Sequence, residues 1–230
     1  MVDNISVLIL AGGLGTRLRP AEPLRPKPVV DINGLPFLYY LLRSLSIHNL
    51  GKVCLSIGYK SQIVRDLMDP FRHSLFDSYF EEPTPFGTGG ALVEFAKTCS
   101  SDKIVYLNGD TFFDKIEDFN FDLPSSFDGK VFSTKRSETD RYGSVLVDEA
   151  GSFRGIGNNS IGGGLINLGV GIMRRSFLLE ASDLSVPFSI EKDLYPHICN
   201  KGSIGVDLVN TSFIDIGVPS DLKLFRDAYA

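Results

Sequence analysis

Arg17, Arg19, Arg25 and Lys27 crowd basic charge into one short stretch of a 230-residue chain whose net charge is −5. The stretch opens on Ala11-Gly12-Gly13-Leu14-Gly15, directly behind the apolar run Val7-Leu8-Ile9-Leu10, which suits a buried strand. Glycine has no Cβ, so a backbone built from it turns sharply and lets a ligand come close. A turn of this kind aims successive N–H groups into one concavity, a common cradle for phosphate oxygens. Thr16 adds a hydroxyl donor, and Arg17 adds a planar fork of donors that stays charged. Lys27 sits between Pro26 and Pro28. Both rings restrict the backbone, so its amine rides on a stiff loop. Glycine turn, Thr16, Arg17 and Lys27 together describe a polyphosphate site.

Two familiar phosphate motifs fail here on a residue that their mechanism requires. The P-loop needs G-x-x-x-x-G-K-[ST], and no Lys-Ser or Lys-Thr stands at that offset from Gly12 or Gly13. The dinucleotide fingerprint needs a third glycine and a strand-end acid to hold a ribose. Leu18 stands where that glycine belongs, and the next strand, Val53–Ile57, runs out into Gly58-Tyr59 with no carboxylate.

In open parallel sheets, ligands bind beyond the carboxyl ends of the strands. That rule selects Ala11–Arg17, Phe86–Gly90 and Asn108–Asp110, all rich in glycine or acid. Read alone, Asp110 and the distant Asp215 are each equally well polar loop residues.

LAGGLGTRLRP followed by PKP resembles the first motif of the sugar-1-phosphate nucleotidyltransferases, also called nucleotide-sugar pyrophosphorylases. The likeness recurs at Glu81–Gly90, Asn108-Gly109-Asp110-Thr111, Arg141-Tyr142-Gly143, Asn167-Leu168-Gly169, Phe188–Asp193 and Phe213–Gly217. Phe213 stands where that family usually has Trp, a change of packing more than of chemistry. The resemblance implies a GT-A-like fold and transfer of a nucleotidyl group from an NTP to a sugar 1-phosphate, with Arg17, Lys27 and Asp110 as catalytic residues. It implies nucleotide contacts from Leu10, Ala11, Gly12, Gly13, Gly15, Thr16, Arg17, Lys27, Glu82, Gly87, Thr88, Asn108 and Gly109. It further implies Mg²⁺ on Asp110 and Asp215, and sugar-phosphate contacts from Gly143, Asn167, Gly169, Glu191 and Lys192. Glu82 matches the family's base-reading position. A carboxylate only accepts hydrogen bonds, and guanine offers two adjacent donors, so GTP is favoured over UTP or dTTP. GTGGAL, LNGDTFFD and FSIEKDLYP resemble members of that family that act on a manno-configured heptose 1-phosphate, which implies that acceptor, with mannose 1-phosphate the near neighbour.

These residues need a scaffold, and the periodicities predict one. Helix spacing appears at Pro36–Leu50, at a short segment capped by Ser61, and at Gly90–Thr98. Strands are expected at Val53–Ile57, Ser78–Glu82 and Ile104–Leu107. This alternation predicts an α/β fold: a Rossmann-like three-layer α/β/α sandwich around a mostly parallel, mixed sheet. Beyond Asp110 the texture changes. Strands are expected at Lys130–Thr134, Tyr142–Val147, Ser152–Ile156, Leu165–Met173 and Ile204–Val209, with a mobile loop at Asn158–Gly164. Helices are expected near Arg174–Ala181, from Ser189 to a kink or end at Pro196, and over Ser220–Tyr229. No linker divides the chain, so residues 1–230 read as one domain: 1–110 the nucleotide half, 111–230 the sugar-phosphate half.

Composition closes off other classes. With 43% hydrophobic and 22% charged residues the chain is ordinary for a soluble globular protein. No Lys/Arg-rich run argues for nucleic acid or an anionic membrane. Cys54, Cys99 and Cys199 are far apart and odd in number, and read as reduced thiols. A strand begins within five residues of the start, and no apolar run approaches the ~20 residues of a membrane helix, so a cytoplasmic enzyme is expected. Nothing decides for or against a homo-oligomer. His48, His73 and His197 match no catalytic role, and Tyr39 and Tyr40 read as packing. A glycosyltransferase would need neither Thr-Arg after the glycines nor the Lys27 loop. A non-catalytic homologue would have no chemical need for Arg17, Lys27, Asp110 and Asp215 together.

Overall fold

The computed structural model describes residues 4–48, 50–136, 142–149, 151–157 and 164–229. In chain order the strands are β1 (Ile5–Leu10), β2 (Asp31–Ile32), β3 (Leu35–Pro36), β4 (Lys52–Ile57), β5 (Ser78–Glu81), β6 (Lys103–Asn108), β7 (Thr111–Phe113), β8 (Gly129–Arg136), β9 (Ser144–Val147), β10 (Phe153–Gly157), β11 (Gly164–Arg174), β12 (Ile204–Leu208) and β13 (Phe213–Asp215). The helices are α1 (Phe37–Leu45), α2 (Ser61–Met68), α3 (Gly87–Thr98), α4 (Arg175–Leu179), α5 (Tyr195–Ile198) and α6 (Pro219–Ala228).

One mixed sheet runs in the order β10-β9-β11-β6-β1-β4-β5, with β8 on the other edge of β11 and β12 beyond β8. The four strands β5, β4, β1 and β6 are parallel, as the strand–helix alternation predicts. β11 is antiparallel to both β6 and β8 and stitches the second half onto the first. Alternate residues of each strand point to opposite faces. Val7, Ile9, Leu55, Ile57, Val105 and Leu107 pack with Leu38, Leu41, Leu42 and Leu45 of α1 and Val64 and Met68 of α2. Leu8, Cys54, Ile104 and Tyr106 pack with α3, α4 and α5 on the opposite face. This is the three-layer arrangement.

A third, smaller core lies outside the sheet. Leu222 and Phe225 of α6 enclose Leu18, Val30, Ile32, Phe37, Phe112 and Ile216. Tyr40 closes it against Phe225 and Tyr229, the packing role expected of it. This cluster anchors the basic loop, because Leu18 directly follows Arg17.

Several expected boundaries move. α1 stops at Leu45, not Leu50, and passes into a 3₁₀ turn at Ser46–His48. Ser44 and Ser46 hydroxyls donate to the carbonyls of Leu41 and Arg43, a local alternative to the helical ladder. α3 starts at Gly87, three residues earlier than expected. From Ser189 the backbone forms a π-helical turn, Ile190–Leu194, that passes into α5. Pro196 does not end this element. It lies in the first turn of α5, where a missing N–H costs little. Residues 158–163 of the expected loop Asn158–Gly164, and Arg141, lie outside the described residues, while Gly164 opens β11.

Leu18 is only 1% exposed. Leu18→Ala is therefore expected to lower unfolding free energy by about 2–5 kcal/mol, as measured by urea denaturation.

Candidate active site

The carboxyl ends of β1, β4 and β6 open into a cleft of ≈ 690 Å³. It is lined by Leu10, Gly12, Gly13, Gly15, Thr16, Glu82, Gly87, Thr88, Asn108 and Asp110 among the expected residues. An adjoining recess of ≈ 220 Å³ brings Arg17, Lys27 and Gly217 to Thr16 and Asp110. Among the described residues, none of the backbone N–H groups from Gly12 to Arg17 donates a hydrogen bond to the protein. A run of unpaired amides facing a cleft, beside two cations, is built to take anionic oxygens.

The recess centres on Lys27. Its Nζ donates to Asp110 Oδ2 at 2.6 Å and to Asp215 Oδ1 at 2.9 Å. The lysine side chain is 9% exposed, so both contacts are sheltered from screening and are stronger than a surface pair. Asp110 and Asp215 meet because β7 and β13 form an antiparallel ribbon in which Asp215 pairs with Thr111. The Ile216 N–H donates to the Asp110 carbonyl at 3.0 Å and locks the end of that ribbon. The loop carrying Lys27 is tied from both sides. Lys60 donates to the carbonyls of Pro23 and Leu24. Arg226 of α6 reaches Glu22 and the Asp31 carbonyl. Arg17 is exposed and makes no hydrogen bond or ion pair among the described residues. A Cβ built on Gly217 would stand 3.2 Å from its Nη2, so Arg17 borders the same recess.

The donor set suits Mg²⁺. Asp110 and Asp215 supply two hard oxygen ligands that converge within reach of one ammonium, and Mg²⁺ completes its shell with phosphate oxygens and water. No group of three or more His, Cys, Asp or Glu side chains that could hold a metal occurs among the described residues. An all-protein cage is therefore not what these residues make.

Some expected nucleotide contacts have other duties. Ala11 is buried, and its N–H donates to the Ser56 carbonyl. The Gly109 N–H donates to the Leu10 carbonyl. Both shape the floor of the cleft from beneath and do not line it. In α3 the N–H groups of Gly89 and Gly90 donate to the Phe188 carbonyl, so at these two glycines the close approach is that of a neighbouring segment of the chain, while Gly87 lines the cleft. Glu82 does line the cleft, with its carboxylate already oriented. Oε1 accepts from the Ser56 hydroxyl at 2.7 Å and Oε2 from the Phe86 N–H at 3.0 Å.

Among the residues expected to contact the sugar phosphate, the Asn167 N–H donates to the Gly143 carbonyl, and its Nδ2 donates to Glu191 Oε1 at 2.7 Å. The Gly169 N–H donates to Asn167 Oδ1. Gly169 has φ +68° and lies against the Asn108 side chain, so any side chain there would be strained and would collide. That contact joins the sugar-side group to the cleft. Lys192 is exposed on the same π-helical turn as Glu191.

Gly58, Tyr59 and Pro187 also line the cleft and were not expected to. The strand-end rule reaches Gly58-Tyr59, which follow β4 directly; Pro187 carries no such signal. Tyr59 holds the Arg19 guanidinium over its ring at 4.8 Å, and Arg19 in turn donates to the Leu14 carbonyl. Burial pushes the Cys199 thiol up to about 11 and raises Cys54 and Cys99. All three stay protonated near neutral pH, so none is a ready nucleophile.

Comparison with known proteins places these features in context. The sequence profile of the family "Nucleotidyl transferase" matches residues 6–156. The chain is 33% identical over 224 residues to D-glycero-alpha-D-manno-heptose 1-phosphate guanylyltransferase of Aneurinibacillus thermoaerophilus, covering 95% of this chain and 96% of that protein. It is 32% identical to mannose-1-phosphate guanylyltransferase catalytic subunit beta of Drosophila melanogaster, covering 95% of this chain and 61% of that one. The crystal structure of HddC from Yersinia pseudotuberculosis complexed with GMP-PN superposes with a TM-score of 0.81, at 31% identity over 98% of this chain and 99% of that one.

A methyl on Gly217 would lie 3.0 Å from Asp215 Oδ1 and 3.1 Å from Lys27 Nζ. Gly217→Ala is expected to leave the fold intact by circular dichroism while displacing the charged cluster. Small misplacement of reacting groups costs up to about 10²-fold in rate, and a loss of roughly 10- to 100-fold in kcat is expected by steady-state assay.

Proposed function

The chain belongs to the nucleotidyl transferase family, and from that premise we propose that it transfers GMP from GTP to D-glycero-α-D-manno-heptose 1-phosphate and releases pyrophosphate. The observation that carries the reading is the Lys27 ammonium held between Asp110 and Asp215 beside the unpaired amides of Gly12–Arg17. Full-length likeness to a heptose 1-phosphate guanylyltransferase supports the choice of acceptor. Likeness to the mannose-1-phosphate enzymes supports mannose 1-phosphate as the second reading.

The chemistry needs no protein nucleophile. A phosphate oxygen of the sugar 1-phosphate attacks the α-phosphorus of GTP, the α–β bridging bond breaks, and pyrophosphate departs with that bond's electron pair. The protein contributes position and charge. The Gly12–Arg17 amides and Thr16 take phosphate oxygens. Arg17, which makes no hydrogen bond or ion pair among the described residues, neutralises the departing pyrophosphate. Lys27 leaves its carboxylates for the α-phosphate, where charge accumulates. Asp110 and Asp215 would hold Mg²⁺, which supplies further charge neutralisation when bound. Glu82, oriented by Ser56 and Phe86, accepts from the two adjacent donors of guanine. Asn167 and Glu191 meet sugar hydroxyls, and Lys192 meets the sugar phosphate. Gly143 contributes through its backbone and Gly169 through the shape that it gives the Asn108 contact.

The two halves act as one catalytic unit in this reading, because the sugar phosphate must reach the nucleotide's α-phosphate. No helix among the described residues is long and apolar enough to cross a membrane. Both substrates are highly charged and do not cross membranes unaided, so the reaction is assigned to the cytoplasm.

A grid of GTP, ATP, UTP and dTTP against heptose, mannose and glucose 1-phosphates, read by pyrophosphate release, tests this. GTP with a manno-configured acceptor should respond. Strong activity with UTP or dTTP would remove Glu82 from base reading and leave the reaction class standing. Lys27→Ala should fold normally and lose about 10²–10³ in kcat, the usual scale for one preorganised electrostatic contact. A folded variant with near-normal kcat would take Lys27 out of the mechanism.

A further inference from the structure

The segment from Val186 to Ile190 is strapped across the first turn of α3. The Phe188 N–H donates to the Phe86 carbonyl at 3.0 Å, and the Phe188 carbonyl accepts from Gly89 and Gly90 at 3.0 and 3.2 Å. The fit leaves no room for side chains. A Cβ on Gly89 would lie 2.7 Å from the Phe188 ring, and one on Gly90 2.8 Å from Val186. Beyond the strap the chain enters the π-helical turn Ile190–Leu194, which carries Glu191 and Lys192.

Helices begin with N–H groups that have no partner in their own ladder. Here the Lys192 N–H finds the Ser189 hydroxyl at 2.9 Å, and the Ser189 N–H finds Asp193 Oδ2 at 2.7 Å. The Ile190 N–H has no acceptor in its own segment. It donates instead to Thr88 Oγ1 on α3, at 3.0 Å. Thr88 therefore caps this turn from another element. Thr88 lines the cleft, and its hydroxyl oxygen accepts from the turn whose Glu191 meets Asn167. The three backbone bonds of Phe188 hold the strap without Thr88. Among the hydrogen bonds of the described residues, the threonine bond is the tie from α3 that reaches past Phe188 to the turn itself.

We propose that Thr88 is a positioning residue for the sugar 1-phosphate, fixing the turn that presents Glu191 and Lys192, although it lies on the nucleotide wall. This rests on the proposed guanylyl transfer. It has a consequence that a simple nucleotide contact would not have: loss of the hydroxyl weakens the acceptor and spares GTP.

Thr88→Val keeps the branched shape and removes the oxygen; Thr88→Ser keeps the oxygen. Steady-state KM values for GTP and for the heptose or mannose 1-phosphate active in the wild type, together with amide hydrogen exchange at Ile190–Lys192, form the test. Loss of one such bond should raise the sugar phosphate KM roughly three- to tenfold, with KM for GTP unchanged. Exchange at Ile190–Lys192 should quicken, and Thr88→Ser should restore both. A rise in KM for GTP alone overturns the proposal, as does a change in neither KM nor exchange, or an equal rise in both KM values. If the wild type releases no pyrophosphate from any pair, the catalytic reading fails instead; unchanged exchange in Thr88→Val would then also remove the tie itself.

Discussion

One ammonium holds the site together. Lys27 bridges two carboxylates that arrive from widely separated parts of the chain, and every surrounding device serves that meeting. The β7–β13 ribbon sets the spacing of the acids. Leu18, buried under α6, plants the near end of the basic loop, and Lys60 and Arg226 hold its middle. Two half-buried carboxylates side by side would repel each other in the absence of a cation. The lysine relieves that repulsion at low solvent exposure, where the Coulomb term is large. In the proposed reaction an incoming polyphosphate would offer Lys27 a more negative partner, and a divalent ion would offer the carboxylates a more positive one.

Glycine does two unlike things along the rim of this cleft. Between Gly12 and Arg17 it leaves amides unpaired and facing open space. At Gly87–Gly90 it lets a neighbouring segment press onto the helix, and two of the amides are taken by the Phe188 carbonyl. Two amides at the start of α3 are thus taken by protein, whereas those of Gly12–Arg17 have no acceptor among the described residues. Both runs follow a strand in sequence and both read as phosphate-friendly by composition. Only the destinations of their N–H groups separate them.

Much of the first half was legible because its order is local. Apolar runs alternating with helical spacing predict β1, β4 and β6 and the three-layer sandwich. The glycine turn, Arg17 and the proline-braced Lys27 lie close enough in sequence to be read as one site. What escaped is non-local or very short. Each strand of the ribbon at Thr111–Phe113 and Phe213–Asp215 is only three residues long and is specified by its distant partner. The convergence of Asp110 and Asp215 therefore rested on the family resemblance, since no pattern near either residue announces it. A helix from Ser189 was legible, but neither the π-helical form of Ile190–Leu194 nor the bond of its Ile190 N–H to Thr88, a residue of a different element, was.

In the proposed reaction the nucleotide and sugar-phosphate subsites would meet where two side-chain contacts join the elements around the cleft. Asn108, at the end of β6, touches Gly169 at the bend of β11, and Thr88 on the cleft wall bonds Ile190 at the start of the sugar-side turn. With no low-pKa thiol among the three cysteines and no need for a covalent intermediate, rate must come from holding two polyanions in line against their mutual repulsion. That task tolerates little relative movement between the subsites. A long hinged linker between nucleotide and sugar halves would loosen the alignment on which the chemistry depends. The continuous sheet through β11, with short side-chain ties on either side of it, is the architecture that such electrostatic, geometry-limited catalysis requires.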